Sequence, residues 1–161
     1  METQEIITET AAKTAEDFPM LKLENQLCFP LYAASREVIR RYRPFLDALD
    51  LTYTQYIALM VLWETDGISV KSLGEKLLLD SGTLTPMLKS MEQKGLVERK
   101  RDGKDERVLR VFLTEEGRSM QERAASVPGK IASCIPLNTE EAAALYRLLY
   151  RLLAALKEEE G

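Results

Sequence analysis

The stretch from Leu77 to Thr114, LLLDSGTLTPMLKSMEQKGLVERKRDGKDERVLRVFLT, constrains this chain more than any other. Its hydrophobic period changes at a glycine. Before the glycine, Leu84, Met87, Leu88 and Met91 recur at spacings of three and four, which places them on one buried stripe of a helix. Ser81 is a suitable N-cap, since its hydroxyl can accept from a free first-turn amide. Thr83, Thr85, Lys89, Gln93 and Lys94 fall on the opposite face, small hydroxyls first and cations last. Pro86 removes one amide from the ladder, so the helix either bends there or becomes regular only at Pro86. Gly95 then supplies a left-handed C-cap. Beyond it, Leu96-Val97 and Val108-Leu109 with Val111-Phe112-Leu113 read as two strands, joined by ERKRDGKDER with Asp102-Gly103 as the turn signal.

Helix, glycine and basic-tipped hairpin make the outline of a winged helix-turn-helix. A helix with small polar residues at its start fits a DNA major groove, and a cationic hairpin can reach the phosphates or the minor groove beside it. The same outline also suits a solvated helix and hairpin on an ordinary domain.

Net charge does not decide between them. The chain of 161 residues carries −4 overall, but the charge is unevenly placed. Glu2, Glu5, Glu9, Glu16 and Asp17 gather in the first twenty residues and Glu158, Glu159 and Glu160 at the other end. Between Arg99 and Arg110 six cations stand against three anions. Phosphate binding needs such a local patch, and whole-chain charge is a weak guide to it. Arg99, Lys100, Arg101, Lys104 and Arg107 are the candidates. The chain contains no histidine, which removes Ser-His-Asp and Cys-His catalysis and most metal sites. No metal or cofactor is expected. No apolar run approaches a membrane span and no signal peptide is visible, so a cytoplasmic protein with no membrane partner is expected. Its two cysteines would there be thiols.

In chain order, residues 1–20 read as a flexible acidic arm. From Leu21 to Leu49 an apolar stripe of Leu27, Leu31, Ala34, Val38, Tyr42, Phe45 and Leu49 appears. A continuous helix of that length spans about 40 Å, too long for a small domain to cover without a partner subunit. Pro30 either kinks it or marks its regular start, with Cys28 just before. Thr52-Tyr53-Thr54 opens a helix that ends at Asp66-Gly67. Ile68-Ser69-Val70 is a short strand, a candidate third strand of the wing sheet, and Lys71 to Leu79 is the first helix of the helix-turn-helix. Thr114 caps a helix running to about Ser133, disturbed at Val127-Pro128-Gly129. After a break at Pro136-Leu137-Asn138, Asn138 or Thr139 caps a last helix with Leu145, Leu148, Leu149, Leu152, Leu153 and Leu156 on one side. The predicted fold is mainly α with a small β wing. Residues 51–113 form the winged helix-turn-helix, and residues 21–50 and 114–161 a helical dimerisation region.

Four segments carry a family resemblance: LENQLCFPLYAASR at Leu23–Arg36, LTYTQYIALMVLWE at Leu51–Glu64, LLLDSGTLTPMLKSMEQKGL at Leu77–Leu96, and Asp105-Glu106-Arg107 in the wing. The chain resembles the MarR family of bacterial winged-helix regulators, and within it the organic hydroperoxide resistance regulators. The resemblance implies a homodimer that represses a pseudo-palindromic double-stranded operator until an organic hydroperoxide oxidises a cysteine. It implies that Ser81, Gly82, Thr83, Thr85 and Met87 face the major groove, that Lys89 meets a phosphate, and that Asp105 orients Arg107 into the minor groove.

Taken alone, Cys28 between Leu27 and Phe29 reads first as an ordinary packed thiol. A helix start at Pro30 would favour an anion there, and tyrosine hydroxyls could donate to it. Tyr32 lies four residues on. Tyr42 lies fourteen on, about 21 Å along a helix axis, and so could meet only the partner subunit's Cys28. The resemblance matches the family's reactive cysteine to Cys28 and its thiolate-binding tyrosines to Tyr32 and Tyr42. It matches Cys134 to the resolving cysteine of a two-cysteine branch. A packed thiol near Pro136 remains the other reading of Cys134. Two other functions fit the residues: a regulator of the same family released by a small aromatic ligand, with Cys28 inert, and a thiol peroxidase using Cys28. Against the enzyme stand the missing general base and a DNA-reading module it would not need.

Overall fold

The structure, a computed structural model, describes residues 18–158. The acidic arm expected over residues 1–20 lies outside the described residues up to residue 17. The chain divides into two compact units, residues 1–40 and 41–161.

In the first unit two short 3-10 turns, Pro19–Leu21 and Leu23–Asn25, precede α1 (Cys28–Asp47). Side-chain amides tie the turns together: Asn25 Nδ2 donates to the Pro19 carbonyl at 2.7 Å, and Gln26 Nε2 to the Met20 carbonyl at 2.5 Å. The long helix expected from Leu21 therefore begins only at Cys28. Pro30 sits inside the first helical turn, where a missing amide costs no hydrogen bond. Leu27, Phe29, Leu31, Val38 and Ile39 are all exposed.

The second unit holds the core. Its elements are the end of α1, α2 (Tyr53–Glu64), β1 (Ile68–Ser69), α3 (Val70–Leu77), α4 (Ser81–Gln93), β2 (Val97–Arg101), β3 (Leu109–Leu113), α5 (Glu115–Ala124), α6 (Val127–Cys134) and α7 (Thr139–Glu158). Leu46, Leu59, Leu62, Leu73, Leu88, Met91 and Val111 are fully buried. The three strands form an antiparallel sheet in the order β1-β3-β2, with Ile68 opposite Val111 and Val97 opposite Leu113. The third strand is thus present, though Val70 belongs to α3.

Caps fix the helix ends. Thr52 and Gln55 form a reciprocal capping box at α2. Asn138 and Glu141 do the same at α7, each backbone amide donating to the other's side chain at 2.9 Å. Thr114 Oγ1 accepts from the Gly117 amide at the start of α5. Gly95, at φ +70, closes α4: its amide donates to Glu92 O and that of Leu96 to Met91 O. The disturbance expected at Val127-Pro128-Gly129 is a helix boundary, since α5 ends at Ala124 and α6 starts at Val127. Gln55 is buried and links three segments: Nε2 donates to Ser90 Oγ at 3.1 Å, and Oε1 accepts from Lys94 Nζ and from the Thr52 amide. On α7, Leu145, Leu148, Leu152, Leu153 and Leu156 are exposed.

Candidate nucleic-acid interface and thiol site

The N-cap of α4 is Asp80 and not Ser81. Its Oδ1 accepts from the Thr83 amide at 2.8 Å and its Oδ2 from the Thr83 hydroxyl at 3.4 Å. Gly82 makes room for this cap, because a Cβ there would lie 3.0 Å from Asp80 Oδ1. Ser81 becomes the first helical residue, and Pro86 lies inside a helix that starts well before it. Ser81, Gly82, Thr83, Thr85 and Lys89 are exposed along one side. Two further expectations fail on this helix. Met87 is buried in the core with Leu84 and Leu88, so its side chain cannot face a groove. Lys94 turns back from the polar face, its ammonium 3.3 Å from Asp50 Oδ1 and 3.2 Å from Gln55 Oε1.

The wing is a loop from Asp102 to Val108 and not a two-residue turn at Asp102-Gly103. Asp102 Oδ1 accepts from the amides of Lys104 at 2.7 Å and Asp105 at 3.1 Å, while Asp102 Oδ2 accepts from Arg110 Nε. These donors, Arg110 first, hold the Asp102 carboxyl at about 2, below the usual carboxylate range. Asp105 grips Arg107 in turn: Oδ1 accepts from Nε at 3.0 Å and from the Arg107 amide at 3.1 Å, Oδ2 from Nη2 at 3.2 Å. The pair lowers the Asp105 pKa and raises that of Arg107 through this side-chain hydrogen bond. The Arg107 side chain is still 91% exposed, so it projects as a held cation.

The basic patch is smaller than its sequence suggests. Arg99 lies half-buried against α4, Nη2 on Glu92 Oε2 at 2.6 Å, and its amide donates to Glu92 Oε1. Its charge is compensated there and its side chain is only 21% exposed, against 59% for Lys100 and 91% for Arg107. Lys100 pairs with Glu98 and stands 5.8 Å from the Phe112 ring centroid. Arg101 Nη1 donates to the Glu106 carbonyl at 2.6 Å. Among the described residues, Lys89, Arg101 and Lys104 have no carboxylate within ion-pair distance.

The two thiols sit at helix ends. Cys28 is the first residue of α1 and is exposed; Cys134 is the last residue of α6 and is exposed. Both are free. One turn after Cys28, the Tyr32 hydroxyl accepts from Arg36 Nη1 at 3.2 Å, and the guanidinium lies 5.4 Å from the ring centroid. Arg36 was not foreseen, although its i+4 spacing from Tyr32 is visible in the sequence. Tyr42 packs against Tyr53 and Tyr56, with centroids 4.9 and 6.0 Å away. Burial is the main cause that raises the pKa of Tyr42, and the neighbouring phenols add to it; burial raises Tyr53 as well. Both hydroxyls therefore stay neutral and able to donate. The sequence places Tyr53 and Tyr56 in α2, and their spacing of three sets both on one side of it, but their contact with Tyr42 is not visible there.

The family model described as transcriptional regulator SarA/Rot matches residues 40–123. The organic hydroperoxide resistance transcriptional regulator of Bacillus subtilis (strain 168) is 51% identical over 142 residues, spanning 88% of this chain and 97% of the relative. The structure of reduced AbfR bound to DNA matches with a TM-score of 0.74 at 38% identity, over 89% of this chain and 99% of that one. Overoxidized AbfR bound to DNA matches with a TM-score of 0.69 at 39% identity, over 86% and 97%. Another structure gives the source of AbfR as Staphylococcus epidermidis.

Proposed function

This chain belongs to the SarA/Rot family of transcriptional regulators, with the winged-helix fold of MarR-type proteins and the organic hydroperoxide resistance regulators as relatives, and from that footing we propose how it works. It is a DNA-binding repressor that senses oxidation. It holds a pseudo-palindromic operator as a homodimer, through Ser81, Gly82, Thr83 and Thr85 in the major groove, Lys89 on a phosphate, and Arg107 in the minor groove. Lys100, Arg101 and Lys104 add phosphate attraction around the wing. Residues 21–50 and 114–161 supply the dimer surface. The exposed leucines of α7 support that assignment, because a second copy would take them out of water.

The observation that carries the redox reading is the position of Cys28: an exposed thiol at the amide end of α1, in a chain that also carries a DNA-reading helix. Its thiolate attacks the terminal peroxide oxygen of an organic hydroperoxide, the O–O bond breaks, that OH stays on sulfur as the sulfenic acid, and the alkoxide leaves and takes a proton from water to become the alcohol. The sulfenic acid then loses water to the Cys134 thiol as a disulfide forms. Tyr32 and the partner subunit's Tyr42 donate to the thiolate before it reacts. Such a regulator works where its DNA is, in the cytoplasm, and no described helix is long and apolar enough to cross a membrane.

Titration with cumene hydroperoxide, with operator binding and peroxide consumption followed together, tests the reading. Loss of binding at about one equivalent per Cys28, without turnover, is the expected result. Sustained turnover would make the chain a thiol peroxidase. An unchanged complex would make Cys28 inert.

A further inference from the structure

The wing loop is tied to the body of the domain by contacts that neither the groove-facing helix nor the thiols use. Arg110 lies on β3, opposite Ser69 on one side and Lys100 on the other. Its Nε donates to Asp102 Oδ2 in the loop and its Nη1 to the Gly67 carbonyl at 2.9 Å. Gly67 is itself anchored. Its amide donates to Asp66 Oδ1, which also accepts from the Leu113 amide at 2.8 Å, and Asp66 Oδ2 accepts from Arg118 Nη2 of α5 at 2.5 Å. Contacts therefore run without a break from α5 to the loop that carries Asp105 and Arg107.

We infer that Asp102 and Arg110 are positioning residues for operator recognition: they set the wing backbone so that the Asp105-held Arg107 is presented to DNA already ordered. The inference rests on the proposed minor-groove role of Arg107. An exposed ion pair such as Asp105–Arg107 holds a side chain only weakly by itself. The order must come from the backbone beneath it, and there Asp102 occupies the amides of Lys104 and Asp105 while its own amide donates to Val108 O at 2.8 Å. The Asp102 side chain is only 15% exposed, shielded by Arg110. Ordering the loop before binding removes part of the entropy that binding would otherwise cost. Arginine is required at 110 because a carboxylate and a carbonyl must be met at once from two nitrogens of one plane, which a lysine ammonium cannot do in that geometry.

Asp102→Asn separates this role from simple charge. Removing an acid beside DNA should strengthen binding if only the electrostatic field matters. The positioning role requires the opposite: operator affinity falls by about three- to tenfold. Affinity for random duplex stays level or rises, and the rate of thiol oxidation hardly changes. In the full chain carrying Arg107→Ala, adding Asp102→Asn should cost nothing more, because the residue it positions is gone. Arg110→Lys, which keeps the charge, should repeat the operator loss and the same non-additivity. Unchanged or tighter operator binding by Asp102→Asn, or a full additive loss in the Arg107→Ala background, would overturn the inference. An Arg107→Ala protein that binds operator like the parent would overturn the minor-groove reading as well, which distinguishes the two failures.

Discussion

The rings of Tyr42 and Tyr53 meet edge-on, their centroids 4.9 Å apart, and bind the last turns of α1 to the first turn of α2. Both phenols have pKa values above the usual tyrosine range, first through burial. The unfolded chain ionises these groups near pH 10 and the folded one only at higher pH. Their contribution to stability is therefore complete below about pH 10 and lost as pH rises through the folded values. Thermal melts at pH 9 and pH 11 should show a fall in stability, and Tyr53→Phe should flatten that fall. An equal fall in parent and variant would mean that Tyr53 does not titrate differently on folding.

Two glycines should respond to the same substitution in opposite directions. A Cβ on Gly117 would lie 2.1 Å from the Leu96 carbonyl oxygen, which is held in place by the Thr114 amide at 3.1 Å. Gly117→Ala should cost about 1–3 kcal/mol by overpacking. Gly129 lies inside α6 with nothing within 4 Å of an added Cβ. Gly129→Ala should stabilise by about 0.5–1 kcal/mol. Urea midpoints measured at constant m-value check both signs.

The contrast between Arg99 and Lys89 explains which parts of the site could be read from residues alone. The buried stripe of α4, the cap at Gly95 and the capping by Thr114 depend on neighbours within one turn, and the sequence displays them. The same stripe already contained Met87, so spacing argued against a groove-facing role that the structure then rules out. Period two in β2 puts Arg99 on the side of buried Val97, and that alternation could have removed it from the basic patch. The choice between Asp80 and Ser81 as cap was not legible, because both residue types cap well. Contacts between distant segments were not legible either. Nothing in local pattern reveals that Arg110 meets the Gly67 carbonyl or that Tyr42 meets Tyr53.

Salt dependence should separate a free cation, Lys89, from a compensated and largely buried one, Arg99. Binding should weaken steeply with salt as neutralised phosphates release counterions. Lys89→Ala should weaken operator and random duplex alike and lower the slope of log K against log salt by about 1. Arg99→Ala should leave that slope unchanged. It should instead cost about 1–2 kcal/mol of folding stability, because Glu92 loses its partner in a half-buried position. A slope change of the Lys89 size in Arg99→Ala would return Arg99 to the DNA-facing set.

The two thiols make the last prediction. Cys28 and Cys134 end up joined in the proposed oxidised form, and a disulfide needs Cα atoms about 4.4–6.8 Å apart. Both residues lie in segments assigned to the dimer surface, so their approach should turn the winged lobes relative to each other. Two α4 helices that fit half-sites about 10 bp apart would then no longer fit together. The fold survives while operator affinity drops. Cys28→Ser should therefore bind operator and ignore peroxide. Cys134→Ser should still react at Cys28 but stop at a sulfenic acid, a mixed disulfide with an added small thiol, or an overoxidised state. Non-reducing electrophoresis of the oxidised parent should show a cross-linked dimer that disappears in either variant and on reduction. Monomer alone, with mass spectrometry finding Cys134 still a free thiol after Cys28 has been oxidised, would falsify the resolving role and leave Cys28 as the sensor.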